Sequence, residues 1–337
     1  MTTLKELLLR THENLQVLQE REAKTGGAPD LNLHNAIEDH QKAIEIIQQA
    51  LATELTDIGL KRLKEDLRSL LIASNVEQID LDKVTLEIPP LPYEPETILI
   101  PAGPFLLGSP SGEDVPAYET PQHEVNLSVY RIGKYPVTNE QFAEFIHQTR
   151  RLVAPETGWE GQTPPADQLK HPIMGVTWHE ALAYCDWLSQ QTSRPYALPS
   201  EAQWEKAARG TDGRLYPWGN DWVANRCNHG GDQITPVDAY PPQSEAGCYD
   251  MVGNVREWTS SLWGEKRLEP DPKFRYPWGK DSGRDDLTAP NYIYRVYRGG
   301  AFSDKVSQLR CSARNGYAPD KPGPPYKRHG FRVVLKV

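Results

Sequence analysis

The chain has 337 residues, 38% of them hydrophobic, with 29 prolines, 25 glycines and nine tryptophans. That length favours one large domain with a smaller companion, and abundant Pro and Gly beside large aromatic anchors exclude a helix bundle running end to end. A formal net charge of −9 argues against a general nucleic-acid binder, because phosphate contacts need a basic footprint.

The N-terminal "MTTLKELLLRTHENLQ" has no basic start followed by an apolar run and a small-residue cleavage site, so no secretory signal is expected. No apolar run approaches the ~18 residues that span a bilayer. A cytoplasmic protein without membrane contact is the expectation.

The first 85 residues (1–85) read as helices. Leu4, Leu7, Leu8, Leu15 and Leu18 recur at near-helical spacing until Gly26-Gly27. Leu33, Ile37, Ile44, Ile47 and Leu51 repeat the pattern, and Leu60, Leu63, Leu67, Leu70 and Leu71 form a third stripe after a Thr56 cap. Three short amphipathic helices can close into a small bundle, burying these faces internally or offering one to a signalling partner. His34 and His40, near Glu38, Asp39 and Glu45, invite a metal reading. Their spacing puts them on opposite faces of a helix, however, so surface polar residues are expected.

Residues 86–97 hold Pro89, Pro90, Pro92 and Pro95, which forbid helix and predict an extended, semi-rigid linker. Residues 98–337 change texture to short strands, turns and two clear helices. "VTNEQFAEFIHQTR" starts at a Thr138 or Asn139 cap and places Phe142, Phe145 and Ile146 on one face. "TWHEALAYCDWLSQQT" does the same with Ala181, Tyr184, Cys185, Trp187 and Leu188. Strand signals lie in "ETILIP", "HEVNLSVYRIGKYPVT" and "GFRVVLKV", and the closing strand is expected to pair with an early one.

From Tyr294 to Val337 there are ten Lys/Arg against two Asp, so the tail of an acidic chain is locally basic. These arginines serve internal ion pairs and carbonyl contacts, or attract an acidic partner. Cys185, Cys227, Cys248 and Cys311 form no C-x-x-C pair and no compact Cys/His zinc pattern, so reduced thiols are expected. No "GxxxxGK[ST]" stretch is present, which removes nucleotide binding by that route. His171, His179, His229 and His329 could each supply a base, but no Ser/Cys nucleophile or carboxylate pair accompanies one at a recognised spacing.

"FLLGSP", "PQHEVNLSVYRIGKYPVTNEQFAEF", "LPSEAQWEKAARG", "YPWGN", "GCYDMVGNVREWTSS", "RVYRGGAF", "RCSARN" and "GFRVV" follow one another in a fixed order. In these motifs the chain from Glu96 to Val337 resembles formylglycine-generating-enzyme (sulfatase-modifying factor) domains. The resemblance implies an α+β, C-type-lectin-like fold, loop-rich with a small antiparallel sheet and two helices, behind the small all-α domain. It implies that Trp178, Trp187, Trp204, Trp218 and Trp258 are core anchors.

Enzymes of that family use two cysteines that bind copper(I), and soft thiolates suit that ion. The first of those positions is Asp304 here, and no cysteine follows before Cys311. Cys311 and Cys185 match structural half-cystines of the family, whose partner positions are Ala207 and Val333. A related iron-dependent branch needs an H-x-x-x-H-x-E-like helix, which "HNAIEDHQKAIE" does not supply. Neither copper nor iron is expected.

"DMVGNVREW" resembles the family's calcium loop, with side-chain oxygens from Asp250 and Glu257 and carbonyls from Gly253 and Val255; the alternative is that the two carboxylates pair with arginines such as Arg256 or Arg298. A structural Ca2+ suits such hard oxygen ligands. The family's other calcium site is eroded after Asn225.

Variable proteins of bacterial diversity-generating retroelements carry the same domain at the C-terminus. That likeness implies a framework of Arg298, Gly299, Gly300, Arg314, Gly330 and Arg332. Contact residues would be Phe302, Asp304, Lys305, Gln308, Arg310, Ser312, Asn315 and Tyr317, a mixture suited to recognition. The expectation is a non-catalytic protein whose C-terminal surface binds a ligand, a protein by preference, with an N-terminal helical adaptor for a signalling or conflict-system partner. The alternative is an oxidoreductase of the same fold with an altered active site.

Overall fold

The computed structural model describes residues 2–24, 30–52, 57–71, 80–81, 84–85, 90–113, 115–279, 282–323 and 329–336. The chain divides into two compact units, Met1–Pro89 and Pro90–Val337.

The first unit contains β1 (Thr2–Thr3), α1 (Leu4–Lys24), α2 (Leu31–Ala52), α3 (Asp57–Leu71) and β2 (Val84–Thr85), the two short strands pairing in parallel. Its apolar stripes meet in one cluster that includes Leu4, Leu7, Ala43, Ile47, Leu63, Leu67 and Leu81, and in a second built on Leu18, Ala36 and Ile37. Leu51 departs from its stripe and is exposed. The Gly26-Gly27 stop, the Thr56 cap and Pro89 lie outside the described residues.

Polar groups interrupt both long stripes: Thr11 and Asn14 between Leu7 and Leu18, and His40 between Ile37 and Ile44, are all buried. The expectation of a surface His40 is thereby corrected. His34 and His40 do occupy opposite faces, but His40 is only 1% exposed, because it continues the 37–40–44–47 spacing of the inner face. Its Nδ1 lies 2.9 Å from the Ala36 carbonyl, and its Nε2 has no hydrogen-bond partner among the described residues.

The second unit contains β3 (Thr97–Ile100), β4 (Gly103–Leu107), β5 (His123–Leu127), β6 (Tyr130–Gly133), α4 (Asn139–Thr149), α5 (Trp178–Thr192) and β7 (Tyr196–Ala197). After these come α6 (Glu201–Arg209), β8 (Arg256–Gly264), β9 (Tyr294–Arg298), β10 (Arg314–Tyr317), β11 (His329–Phe331) and β12 (Val334–Lys336). Two four-stranded sheets, β3-β6-β12-β7 and β10-β9-β8-β11, stand beside the β4-β5 hairpin. The closing strand does pair with early ones: β12 runs antiparallel to β6, which pairs with β3. In the preceding linker, Tyr93 stacks on Trp187 and Glu94 accepts hydrogen bonds from Arg194 and Tyr196, so Pro90–Glu96 is fastened to this unit.

Helices α4 and α5 open on reciprocal caps, Thr138 with Gln141 and Thr177 with Glu180. A third helix, α6, adds to the two expected, and Ser200 with Gln203 caps it in the same way. Trp178, Trp187, Trp204 and Trp258 are buried core anchors as expected, whereas Trp218 is half-exposed and stacked on Tyr216. Each buried indole N–H finds an acceptor: Trp178 donates to the Thr259 carbonyl, Trp258 to the Val176 carbonyl and Trp204 to Glu257.

Candidate functional site

The site grows from charged residues that the fold buries. On α6, Glu201 and Glu205 stand one turn apart and face Arg298 at the end of β9, which bridges them. Glu201 also takes Arg284 and Arg314, and Glu205 takes Arg209. Burial alone would raise the Glu201 carboxyl, but Arg314, Arg284 and Arg298 outweigh it and hold its pKa at about 2. Arg298 spends further donors on the Cys311 and Ser312 carbonyls, tying the 311–312 segment to the same post.

Above this post the chain turns through Gly299 and Gly300, both at positive φ (+90° and +72°). A Cβ on Gly300 would sit 2.5 Å from Leu309 Cδ2, so the turn requires glycine twice over. The turn delivers Asp304, only 1% exposed, to Arg256 at the start of β8. The pair is bidentate, at 3.1 Å (Nη2 to Oδ1) and 3.1 Å (Nε to Oδ2). The Ala301 N–H donates to the same carboxylate at 2.8 Å. Arg256 uses its other terminal nitrogen on the Tyr297 hydroxyl.

Across from this pair, Glu119 in the Ala117–Glu119 turn receives Arg310 through both terminal nitrogens, at 2.6 and 3.0 Å. The Ser312 hydroxyl donates to Glu119 at 3.0 Å and accepts from Ser109. Burial pushes the Glu119 carboxyl up, and Arg310 opposes it.

Between the two ion pairs opens a cleft of about 270 Å3, walled by Tyr118 and Tyr297, floored by Arg298 and Arg314, and edged by Gln308 and Asn315. Of the eight expected contact residues, Asp304, Gln308, Arg310 and Asn315 line it. Lys305 is exposed beside it and Tyr317 is half-buried against His329. Phe302 and Ser312 are corrections: both are buried, Phe302 within the turn and Ser312 on Glu119, so neither offers a side chain to a ligand. Tyr118, Glu119 and Arg256 were missed because they lie far from the Gly-Gly turn in sequence, and Tyr297, two residues before it, because it reads as part of the preceding strand β9. Of the framework residues, Arg298, Arg314 and Arg332 are buried in ion pairs, and a Cβ on Gly330 would meet the Ile173 carbonyl at 2.2 Å.

The four thiols are buried, and burial pushes all of them up, Cys227 and Cys311 to about 12. Cys185 and Val333 pack in one apolar cluster, and Cys311 and Ala207 in another.

The calcium set does not fit as placed. Glu257 accepts from Arg332 at 2.6 and 2.7 Å and from Trp204 at 2.8 Å, which fills most of its lone pairs and sets a guanidinium where a cation would approach. Glu257 thus pairs with an arginine, as in the alternative reading, the partner being Arg332 rather than the Arg256 or Arg298 given there as examples. Asp250 is buried and takes Asn254 at 2.7 Å. With Glu257 committed, one carboxylate and the Gly253 and Val255 carbonyls fall short of the six to eight oxygens Ca2+ takes. Among the described residues no three of His, Cys, Asp and Glu are grouped to hold a metal ion. No described helix is long and apolar enough to cross a membrane.

Two small sheets, capped helices and much ordered loop around a tryptophan core, with a cleft at a Gly-Gly turn, define a formylglycine-generating-enzyme-like domain of C-type-lectin type. The chain belongs to the sulfatase-modifying factor enzyme 1-like domain family, whose profile matches residues 86–337. Among curated relatives, the serine/threonine-protein kinase Pkn1 of Chlamydia trachomatis is 32% identical over 290 residues, covering 80% of this chain and 43% of the relative. The chain therefore spans less than half of that relative. The mouse inactive C-alpha-formylglycine-generating enzyme 2 is 29% identical over 286 residues, covering 67% of this chain and 82% of the relative. Among solved structures, Treponema denticola variable protein 1 superposes with a TM-score of 0.53 at 22% identity, over 72% of this chain and 95% of that one. At that identity the likeness concerns the fold alone.

Proposed function

We propose that this protein is a non-catalytic ligand-binding protein whose cleft, between the Ala117–Glu119 turn and the segment from Gly300 to Asn315, receives its ligand. The observation that carries the reading is the state of Asp304. Where the family resemblance puts a copper thiolate, this chain has a carboxylate already held by Arg256 and the Ala301 N–H. The four thiols are buried, and burial pushes their pKa values up, away from the thiolate form that role needs. A cleft with rigid ionic walls and polar rim residues remains. The relative named as inactive and the fold shared with a variable protein agree with this use.

The N-terminal helical unit serves in this reading as an adaptor for a signalling partner. Its support is that the amphipathic helices close on a core of their own in a unit separate from the cleft domain.

The test is site-specific photocrosslinking in cells. A photoreactive residue at Gln308, on the cleft edge, is expected to trap a discrete partner that the same group at Leu152, exposed and outside the cleft lining, does not. Equal labelling from both positions would contradict a ligand at the cleft.

A further inference from the structure

The ion pairs around the cleft do not balance. Arg209 and Arg298 share Glu205, while Arg284, Arg298 and Arg314 share Glu201. Arg310 takes Glu119 and Arg256 takes Asp304. Among the described residues this network thus holds six guanidinium groups against four carboxylates, an excess of two positive charges. Among the described residues, four guanidinium nitrogens in it, Arg209 Nε, Arg284 Nη1, Arg298 Nε and Arg314 Nε, are buried without a well-formed hydrogen bond, although Arg314 Nε lies against Glu201, and Arg298 and Arg314 line the cleft. Guanidinium groups stay charged when buried, so an excess of this kind is costly unless a counter-ion can approach.

The cleft is where it can. Arg256, Arg298, Arg310 and Arg314 all contribute to its lining, and among the described residues the only acidic ones that line it, Glu119 and Asp304, are buried and already doubly bound. The edge adds neutral donors, from Gln308 and Asn315, and no carboxylate. A cationic cleft is unusual on a chain whose formal net charge is −9. At physiological salt, charges more than ~8 Å away are largely screened, so the local arginines dominate at contact distance.

Resting on the reading of the cleft as a ligand site, we infer that the ligand enters it with an anionic group, a carboxylate or a phosphate, set against Arg298 and Arg314, the two lining arginines of the surplus group, and hydrogen-bonded by Gln308 and Asn315. Most arginines of the basic tail thus make internal pairs, and two of them, Arg298 and Arg314, belong to the group whose surplus is left for an acidic partner.

The probes are three short peptides, acetylated and amidated, alike except for one central glutamate, phosphoserine or glutamine. Each is titrated by calorimetry into the full chain at one fixed ionic strength. The expected result is that one anionic peptide binds at least tenfold more tightly than the glutamine peptide, the tighter of the two naming the carboxylate or the phosphate. Gln308→Glu is expected to weaken that binding at least tenfold and Gln308→Lys not to weaken it, both with unchanged melting temperature because Gln308 is exposed. Equal binding of all three peptides, or indifference to the charge at 308, would overturn the anionic assignment while leaving a cleft ligand in place. Absence of binding by any peptide would also overturn it, and the crosslink from 308 would then report separately on whether the cleft binds a ligand at all.

Discussion

Asp304 carries most of the account at the scale of single residues. A carboxylate there is a structural group, one half of a buried pair with Arg256. Removing one partner of such a pair leaves the other charge buried alone, which costs about 3–5 kcal/mol. Asp304→Ala should therefore lower unfolding stability by about that much in urea denaturation; a loss under about 1 kcal/mol would show the pair to be dispensable. Arg310 is caught in the same way by Glu119, so Arg310→Ala would damage the scaffold as well as the cleft. Gln308 and Lys305, both exposed, are the residues that separate binding from folding.

Asp250 makes a second, opposite case. Burial pushes its carboxyl up to about 7, with Asn254 and Arg332 only partly opposing. A carboxyl whose folded pKa lies above its unfolded value of ~3.8 contributes stability at low pH that is lost as pH rises through the folded value. Asp250→Asn should thus stabilise the protein at pH 8, by up to about 4 kcal/mol, and have little effect near pH 4. Thermal melts of both proteins across that range, with and without EGTA, check this. A melting temperature that falls on EGTA dialysis, with Asp250→Asn destabilising at pH 8, would restore Asp250 and Glu257 to a calcium site.

At the scale of elements, α4 and α5 were legible because their caps and apolar faces lie within one short window of sequence. The cap of α6, Ser200 to Gln203, has the same signature but was passed over. Its nine residues carry Glu201, Glu205, Lys206 and Arg209, which read as solvent-facing and are all buried. The reason is pairing at a distance: Arg298 reaches Glu205 across 93 residues, and nothing local announces it. Strand β8 was equally silent, since it is buried on both faces and shows no alternation. The cleft was half legible for the same reason. Its Gly300-to-Asn315 side is one continuous stretch, whereas Tyr118 and Glu119 come from a turn some two hundred positions earlier, Arg310 and Glu119 being 191 apart. In the first unit, His40 shows the converse: the spacing separated it from His34 correctly, and position 40 falls on the Ile37, Ile44 and Ile47 stripe that marks the inner face, so its burial was legible despite its polarity.

For the whole molecule, the two units pose different questions, and the larger one decides whether the protein is an enzyme. The account makes it a rigid cleft without redox chemistry. The most direct test is to supply the full chain with copper(I) anaerobically, remove loosely held metal, and follow oxygen uptake on adding air and a cysteine-containing peptide. The account predicts no stoichiometric copper retention and no peptide-dependent oxygen consumption, with the peptide thiol unchanged by mass. One retained copper per chain with oxygen consumed in proportion to peptide would contradict it, and would make this chain an oxidoreductase despite the carboxylate at 304.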